Sequence, residues 1–450
     1  MNIGTRFVSR SLAHLYCVAR NEAPNSLTPL LPGITRSSGS EAWACARGRR
    51  FVTHSTAMGD ISGSSALLGS VPRLPCRSAE EVDTLLKHMY GERYLEYVMP
   101  RRDVHGNKRI NVIHVTLCWE NPETGKLHSI RIHERSPKSE LDFFVLNAIR
   151  AASDLALASA KLLRDEPHYA ATVQGSSAAA LCEWRTRYLG KPQDFQHPDT
   201  AIITSFVAPS EAQKQALGKD IDPELGLDCG TCKVPLTHPI FSSTSEVTRG
   251  QSKLYITMPQ SCCEMLERFV RQTEVSNTPG SHSMFETAPE WMRMFIHLMK
   301  QHGVIPLCIN EPASLAPPSS SARNLPTRNS SLSHIVQQVL SCRRDDGRPY
   351  LVAHVELGPR STPELYVGSP EQGISPLIDT LFLTVYRGPL PEGPLENNLV
   401  IANGEILEPF PRLPNGRSEL DEHFELRNAG FTQGDWTFYV YTRRTSQVII

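Results

Sequence analysis

The sequence has no long apolar stretch. Of its 450 residues 40% are hydrophobic, which is enough for a real core. No run approaches the roughly 18 consecutive apolar residues that a membrane-spanning helix requires, so we expect no membrane-spanning segment. At about 150 residues per domain, the length predicts two to three domains.

The short motifs of the commoner enzyme classes are also missing. No Gly-Lys-Ser/Thr loop and no helix-opening GxGxxG could hold nucleotide phosphates, and no HExxH or paired-acid ExExK strand could supply ligands for metal-dependent hydrolysis. Gly280-Ser281-His282-Ser283 resembles a nucleophile elbow but lacks the closing glycine and the preceding strand. We therefore predict no catalytic residue and no cofactor, and expect a protein that is not an enzyme.

Lysine is absent from residues 1–59, where acidic residues are scarce. Seven arginines and two glutamates give this segment a net charge of +5, which leaves −6 for residues 60–450 because the total is −1. Within residues 1–20 the apolar side chains fall on one side of a helical projection and the arginines on the other. A basic, amphipathic, acid-poor N-terminus is typical of a mitochondrial targeting peptide. We expect a mitochondrial matrix protein with a targeting or disordered leader, 1–59.

The eleven cysteines are an odd set without the spacing of a disulfide framework. This indicates reduced thiols, as a matrix location also would. Cys229 and Cys232 form a CxxC, and His238 with Cys262 or Cys263 could complete four zinc ligands. No second CxxC or HxxxH supports that pattern, so these residues are weak candidates and no metal site is predicted.

Composition divides the rest of the chain into segments. Helical and strand patterns begin at Ser78, which forms a capping box with Glu81. A stretch rich in Ser and Pro separates two patterned regions. The predicted segments after the leader are 60–77 (disordered), 78–311 (N-terminal α+β lobe), 312–333 (Ser/Pro-rich linker) and 334–450 (C-terminal β-rich lobe).

Both predicted lobes combine helices with strands. In the first, 109–120 and 126–135 read as a hairpin, and the i, i+3, i+4 spacing of apolar residues over 139–165 reads as one long helix. In the second, the patterns predict a hairpin at Asn403-Gly404 and strands at 350–357, 364–367, 377–387 and 436–441. The fold class is α+β, with helices packed on antiparallel β-sheets in two lobes.

Arginine clusters lie beside strands in both lobes. Arg131, His133 and Arg135 alternate along the predicted return strand, so all three share one face. Arginine beside aromatic residues can grip phosphates while rings stack on unpaired bases. The candidate RNA- or phosphate-binding residues are Arg101, Arg102, Lys108, Arg109, Arg131, His133, Arg135, Arg343, Arg344, Arg348, Arg443 and Arg444. The alternative is a solvated outer sheet face, because residues 60–450 are acidic overall.

The layout of leader, basic hairpin, Ser/Pro linker and arginine-only β lobe resembles the guide-RNA-associated subunits of the mitochondrial RNA-editing substrate-binding complex of trypanosomatids. The resemblance spans about residues 78–450 and implies a tunnel-like or barrel-like β core similar to triphosphatases, without the paired-glutamate strand needed for hydrolysis. It also implies partners, namely guide RNA, a paralogous subunit and a larger ribonucleoprotein.

These observations predict a non-catalytic mitochondrial RNA-binding subunit that binds and stabilises guide RNA for RNA editing and mRNA processing. Two alternatives remain open at this point. One is a protein assembly or mitoribosome-associated factor without direct RNA contact; the other is a zinc-dependent matrix enzyme that uses the cysteines above.

Overall fold

A computed structural model describes most of the chain after residue 72. The described residues are 73–103, 105–204, 226–228, 233–235, 238–242, 252–275, 290–310, 331–344, 346–402 and 404–444. The leader 1–59, residues 60–72, and nearly all of the linker 312–333 lie outside these ranges, as do Cys229 and Cys232.

Twelve α-helices lie in the described residues. They are α1 (Ala79–Tyr90), α2 (Tyr94–Val98), α3 (Glu140–Ala152), α4 (Ala160–Asp165), α5 (Ala178–Leu189), α6 (Pro239–Ser242), α7 (Gln260–Val275), α8 (Glu290–His302), α9 (Leu332–Ser341), α10 (Thr362–Val367), α11 (Leu395–Asn398) and α12 (Glu419–His423). No helix among the described residues is long and apolar enough to cross a membrane.

The strands are numbered in the same way. They are β1 (Arg101–Arg102), β2 (Lys108–Arg109), β3 (Asn111–Glu120), β4 (Leu127–Ser129), β5 (Leu155–Ser159), β6 (Asp199–Ile203), β7 (Gly226–Asp228), β8 (Lys233–Pro235), β9 (Leu254–Pro259), β10 (Val304–Ile309), β11 (Val352–Glu356), β12 (Thr380–Tyr386), β13 (Ile401–Ala402), β14 (Glu405–Ile406), β15 (Phe424–Leu426), β16 (Phe431–Gln433) and β17 (Trp436–Arg443).

The best-defined helix starts follow from their caps. The Ser78 hydroxyl accepts a hydrogen bond from the backbone N–H of Glu81 at the start of α1, and that of Ser139 accepts one from Asp142 at the start of α3. Such side-chain acceptors satisfy N–H groups that have no partner within the helix. The predicted helix cap at Ser78 is thus confirmed.

The predicted long helix 139–165 is wrong in its middle. The segment is instead α3, the buried strand β5 and the short helix α4. Leu155-Ala156-Leu157-Ala158 is apolar at every position, because a parallel strand inside a sheet is covered on both faces. Such a run also fits a helical stripe, so periodicity alone could not separate the two.

One mixed sheet of 11 strands organises the molecule. Its main path is β10-β9-β6-β5-β11-β3-β12-β17-β15. The seven strands from β10 to β12 are parallel, whereas β17 runs antiparallel to β12 and β15 antiparallel to β17. The path is open, and the described strands close no barrel.

The prediction of helices packed on β-sheets is confirmed, but strand pairing and lobe arrangement differ from it. Antiparallel pairing holds for the hairpin β3–β4 and for β15–β17. β11, from the predicted C-terminal lobe, lies between β5 and β3 of the other lobe. Strand patterning records burial and not the identity of the neighbour, so it could not reveal that the two segments share one sheet.

Helices cover both faces of this sheet. The helices α1, α3 and α5 pack on a face that includes Ile113 and Val352. The helices α9, α10 and α12 pack on the opposite face, which includes Val112 and Ala353. Adjacent residues of one strand therefore belong to different cores, as the two-residue period of a strand requires.

The remaining differences concern short elements. Residues 364–367, predicted as a strand, belong to helix α10, where Pro363 occupies the first turn. Proline suits that position because its fixed φ matches the helix and no N–H is needed there. The hairpin predicted at Asn403-Gly404 is confirmed in its strands β13 and β14, while Asn403 itself lies outside the described residues.

Candidate active site at the carboxyl edge of the sheet

The sheet topology marks one crevice. After β5 the chain continues to β6 on one side, whereas after β11 it continues to β12 on the other side. In open parallel sheets, ligands bind outside the carboxyl ends of strands where the connections diverge in this way. A ligand site is therefore expected at the carboxyl ends of β5 and β11.

A buried ion pair lies at this place. Nε and Nη2 of Arg150, on α3, donate to the two carboxylate oxygens of Glu356 at 2.8 and 2.6 Å. Glu356 is the last residue of β11, and both side chains are at least nine-tenths buried. Burial disfavours the charged form of Glu356, but Arg150 more than compensates, and the pKa of the carboxyl is lowered.

Small residues on the neighbouring strand make room for this pair. Ala158 of β5 stands beside Glu356 in the register, and Ala156 stands beside His354. Both alanines are fully buried. Larger side chains there would occupy the space under α3 that the charged groups now fill.

His354 lies two residues before Glu356, on the same face of β11. Its Nδ1 is 3.2 Å from Oε1 of Glu356, and its ring is fully buried. Burial lowers the pKa of His354 to about 4. The imidazole is therefore neutral at neutral pH, so the contact is not an ion pair.

A second carboxyl, that of Glu166, lies within electrostatic range of the first. Glu166 directly follows α4 and is partly accessible to solvent. Burial and the nearby charge of Glu356 raise its pKa to about 7. The neighbouring Asp165 behaves oppositely: despite burial, Lys161 and Arg164 lower its pKa.

Tyr169 closes the inner side of the cluster. Its ring lies over the Arg150 guanidinium, with 5.4 Å between the guanidinium carbon and the ring centroid. The third guanidinium nitrogen of Arg150 donates to the Thr172 carbonyl oxygen. Arg150 is thus held on every side, which fixes the position of the Glu356 carboxylate.

The cluster can perform proton transfer. One carboxyl is held ionised by an arginine, and the other changes protonation near neutral pH because of burial and the first carboxylate. Two carboxyls whose environments displace their pKa values in opposite directions are typical of an acid–base site.

None of these residues was among the site residues predicted from the sequence. Arg150 and Glu356 are 206 residues apart, and neither belongs to a known short motif. The available signal was a charged residue inside an otherwise apolar element, at Arg150 in α3 and at Glu356 in β11. Such a residue needs a buried partner.

A second set of buried charges lies at the opposite, amino edge of the sheet. Asp154, just before β5, accepts hydrogen bonds from the backbone N–H groups of Leu351 and Val352, each at 3.0 Å. Its side chain also contacts Lys191, and Arg344 lies 3.8 Å away. The pKa of Asp154 is lowered although burial opposes this, because Lys191 compensates.

Arg344, a predicted RNA-binding residue, is therefore an internal residue. It is 9% exposed, and its guanidinium lies 4.2 Å above the Phe195 ring. Its neighbours Arg343 and Arg348 are exposed in the turn before β11. Arg343 donates to the Gly347 carbonyl, and Arg348 pairs with Asp346 at 2.6 Å.

The four basic residues before β3 form the small hairpin β1–β2. Arg101 pairs in register with Arg109, and Arg102 with Lys108. Arg109 contacts Asp379 at 2.7 Å, and Arg101 donates to the backbone carbonyl of that residue. The structure thus brings these cations together, and two of the four bind the sheet.

Arg131, His133 and Arg135 do not lie on a strand. β4 ends at Ser129, and residues 131–136 form a turn in which the Ser136 hydroxyl binds the backbone of residues 131 and 133. Arg131 also donates to the Glu396 carbonyl. The expected alternation on one face is absent because the pairing of β4 with β3 ends at Ser129, which pairs with Cys118.

The last two candidates are the final residue of β17, Arg443, and the residue after it, Arg444. Arg443 contacts Glu419 at 2.9 Å and donates to the Ile378 carbonyl, and Arg444 donates to the Phe424 carbonyl. Their side chains hold the C-terminal strand to neighbouring elements. The end of β17 and the hairpin β1–β2 meet at Asp379, whose carbonyl oxygen accepts hydrogen bonds from the Arg101 side chain and from the backbone N–H of Arg443.

The metal candidates are placed only in part, because Cys229 and Cys232 lie outside the described residues. Both ring nitrogens of His238 are engaged, Nε2 with the Glu166 carbonyl and Nδ1 with the Ile240 N–H. Cys262, in the first turn of α7, is buried in the core. In the described part of the chain, no three His, Cys, Asp or Glu side chains are placed so as to hold a metal ion.

The prediction that all cysteines are reduced is wrong for one pair. Cys263 and Cys308 form a disulfide across 45 residues of sequence. Sequence spacing could not indicate it, because the two residues meet only when β10 pairs with β9 and α7 packs behind them.

No family model and no curated protein sequence matches the chain. Among solved structures, a pyrimidine reductase-like protein from Corynebacterium diphtheriae is similar with a TM-score of 0.38 and 13% identity, covering 82% of this chain and 100% of the other. RibD from Acinetobacter baumannii has a TM-score of 0.33 and 11% identity, covering 78% and 60%. A riboflavin biosynthesis reductase from Saccharomyces cerevisiae has a TM-score of 0.29 and 9% identity, covering 78% and 98%.

These findings contradict the prediction of a non-catalytic RNA-binding subunit for RNA editing. The solved structures to which the chain is similar are described as reductases and not as ribonucleoprotein subunits. The prediction that the protein is not an enzyme is contradicted with it. At these TM-scores the similarity transfers no substrate and no residue role, so the chemistry has to be argued from the chain itself.

Proposed function

We propose that the protein is an enzyme that binds a small polar substrate between the carboxyl ends of β5 and β11 and exchanges a proton with it through Glu166. The observation that carries this proposal is the opposite displacement of two carboxyl pKa values around one arginine. A group with a pKa near the working pH is populated in both protonation states and transfers protons efficiently.

Each residue of the cluster has a distinct role in this proposal. Glu166 is the residue that meets the substrate, since the Glu356 side chain is only 9% exposed and both of its oxygens are taken by Arg150. Glu356 stays ionised and raises the pKa of Glu166, while Arg150 limits that rise. Arg150 and Glu356 are therefore positioning residues, and Glu166 is the acid and base.

A carboxyl-modification experiment tests the acid–base role without a known substrate. A water-soluble carbodiimide activates protonated carboxyls, which an added amine then labels, and peptide mass spectrometry reads each position as a function of pH. We expect half-labelling of Glu166 near pH 7. Asp165 is the internal control, because its pKa lies below its ordinary value and it should label only in acid. Half-labelling of Glu166 at the ordinary value of about 4.5 would refute the proposal.

The substrate role needs a separate test. Nucleotides, sugar phosphates and oxo acids are screened for stabilisation of the full-length protein and then for turnover. We expect Glu166→Gln to lower kcat by roughly 10²- to 10⁴-fold, the usual contribution of a general acid or base. Asp165→Asn should leave kcat unchanged. Equal effects of the two substitutions would mean that Glu166 has no special role.

The mitochondrial matrix location also stays a proposal, supported by the basic, acid-poor composition of residues 1–59. A reporter fused to these residues should enter mitochondria and be shortened there. A reporter that stays in the cytosol would exclude the matrix location.

A further inference from the structure

We propose that the Cys263–Cys308 disulfide is an exchangeable redox link that holds the edge strand β10 to the rest of the molecule. Cys263 lies in the first turns of α7, which begins directly after β9. Cys308 is the next-to-last residue of β10, whose parallel partner is β9. The disulfide therefore ties the edge strand to the helix that follows its only paired neighbour.

The disulfide matters for the stability of β10 because β10 lies at the edge of the sheet. Among the described strands, β10 pairs on one side only. Pro306, in the middle of the strand, has no N–H to donate, as is common in edge strands. Elements with few hydrogen-bonded neighbours open at a lower free energy than central strands. Once the disulfide is open, the described elements that still contact β10 are its partner β9 and the helices α7, α8 and α9.

The two cysteine residues differ in exposure: Cys263 is 1% exposed, whereas Cys308 is only partly buried. We therefore expect an incoming thiolate to attack at Cys308. With reduced glutathione, its thiolate forms a mixed disulfide with Cys308, and Cys263 leaves as a thiolate. A second glutathione thiolate then attacks the glutathione sulfur, which releases oxidised glutathione and the Cys308 thiolate. Two electrons pass from two glutathiones to the protein disulfide.

Several other described thiols are unsuited to compete in this exchange. Burial raises the pKa of Cys76 to about 11, that of Cys118 to about 12 and that of Cys342 to about 11. They stay protonated at neutral pH, and the thiolate is the reactive form. Exchange should therefore occur at the Cys263–Cys308 pair and leave these thiols unchanged.

The test uses the full-length oxidised chain and glutathione. Samples are equilibrated at increasing ratios of reduced to oxidised glutathione, and reduced cysteines are identified by alkylation and mass spectrometry. We expect about 10 mM reduced glutathione to open the pair under native conditions while Cys76 and Cys118 stay unalkylated. Hydrogen exchange of residues 304–309 should then be faster by about tenfold or more.

Two variants complete the test. Cys308→Ser should show the fast exchange of β10 even without reductant, and Cys342→Ser, which leaves the disulfide in place, should behave as the unmodified protein. If Cys308→Ser does not fold, the reduction experiment on the unmodified chain still decides. A pair that stays closed in glutathione, or one that opens without a change in the exchange of β10, would overturn the proposal.

Discussion

Two clusters of buried charge lie at opposite edges of the same parallel sheet, and they differ in how completely their carboxylates are matched. At the amino edge, Asp154 has Lys191, Arg344 and two backbone N–H groups as partners. At the carboxyl edge, Arg150 and Glu356 satisfy each other, while Glu166 remains beside them with a pKa raised to about 7.

The difference separates a structural cluster from a candidate functional one. A fully matched carboxylate stabilises the fold and changes its charge only in acid. A carboxyl kept partly neutral at pH 7 costs stability when it ionises, and proteins place such groups where chemistry needs them. The edge where ligands bind in sheets of this kind is also the edge that carries Glu166.

The largest expected effect comes from breaking the pair at the carboxyl edge. Arg150→Met leaves Glu356 buried without its partner, so we expect a loss of about 3–5 kcal/mol in the free energy of unfolding. Urea denaturation at pH 7 measures it. The double variant Arg150→Met, Glu356→Leu should lose much less, because no unpaired charge remains. A loss below about 1 kcal/mol for the single variant would show that the pair is solvated.

At the amino edge, Asp154→Asn should lower the free energy of unfolding by about 2–3 kcal/mol at pH 7. The neutral amide forms no ion pair with Lys191, and its NH₂ group cannot accept a hydrogen bond in place of the lost carboxylate oxygen. The folded-state pKa of Asp154 lies below its ordinary value, so its contribution is present above about pH 4 and lost as the pH falls further. Urea denaturation should therefore show the variant and the unmodified protein converging in acid. The labelling pH of Glu166 should not change; a shift would mean that the two clusters are coupled.

The smallest expected effect is the pH dependence that Glu166 produces. Its folded-state pKa lies above the unfolded value, so its favourable contribution is present below about pH 4.5 and is lost as the pH rises through about 7. Glu166→Gln should remove about 1–2 kcal/mol of this decline, after allowance for solvent screening.

The decline is best measured by urea denaturation between pH 6 and 7.5. Burial raises the pKa of Asp142 to about 6, so this residue adds a slope of the same sign at lower pH. Asp165→Asn should keep the decline of the unmodified protein. An identical slope in Glu166→Gln would show that Glu166 titrates at its ordinary pH.

Prediction succeeded where the signal was local. The cap at Ser78, the start and apolar stripe of α3, and the turn between β3 and β4 all lie within a few residues of sequence. It failed at β5, whose continuous apolar run fits a helix as well as a buried strand. It also assigned Arg344 and Arg443 to a surface, although their guanidinium groups bind interior partners.

The sequence by itself determined which segments form helices and strands at most places, and that these helices and strands would pack around an apolar core. Helix capping, turn-forming residues and hydrophobic periodicity each involve only a few consecutive residues, so they can be recognised from the sequence alone. Only the tertiary structure decided that β11 inserts between β5 and β3, which places Glu356 against Arg150 and near Glu166. The pKa values that define the candidate site follow from that placement, because burial and charge proximity are properties of space and not of sequence.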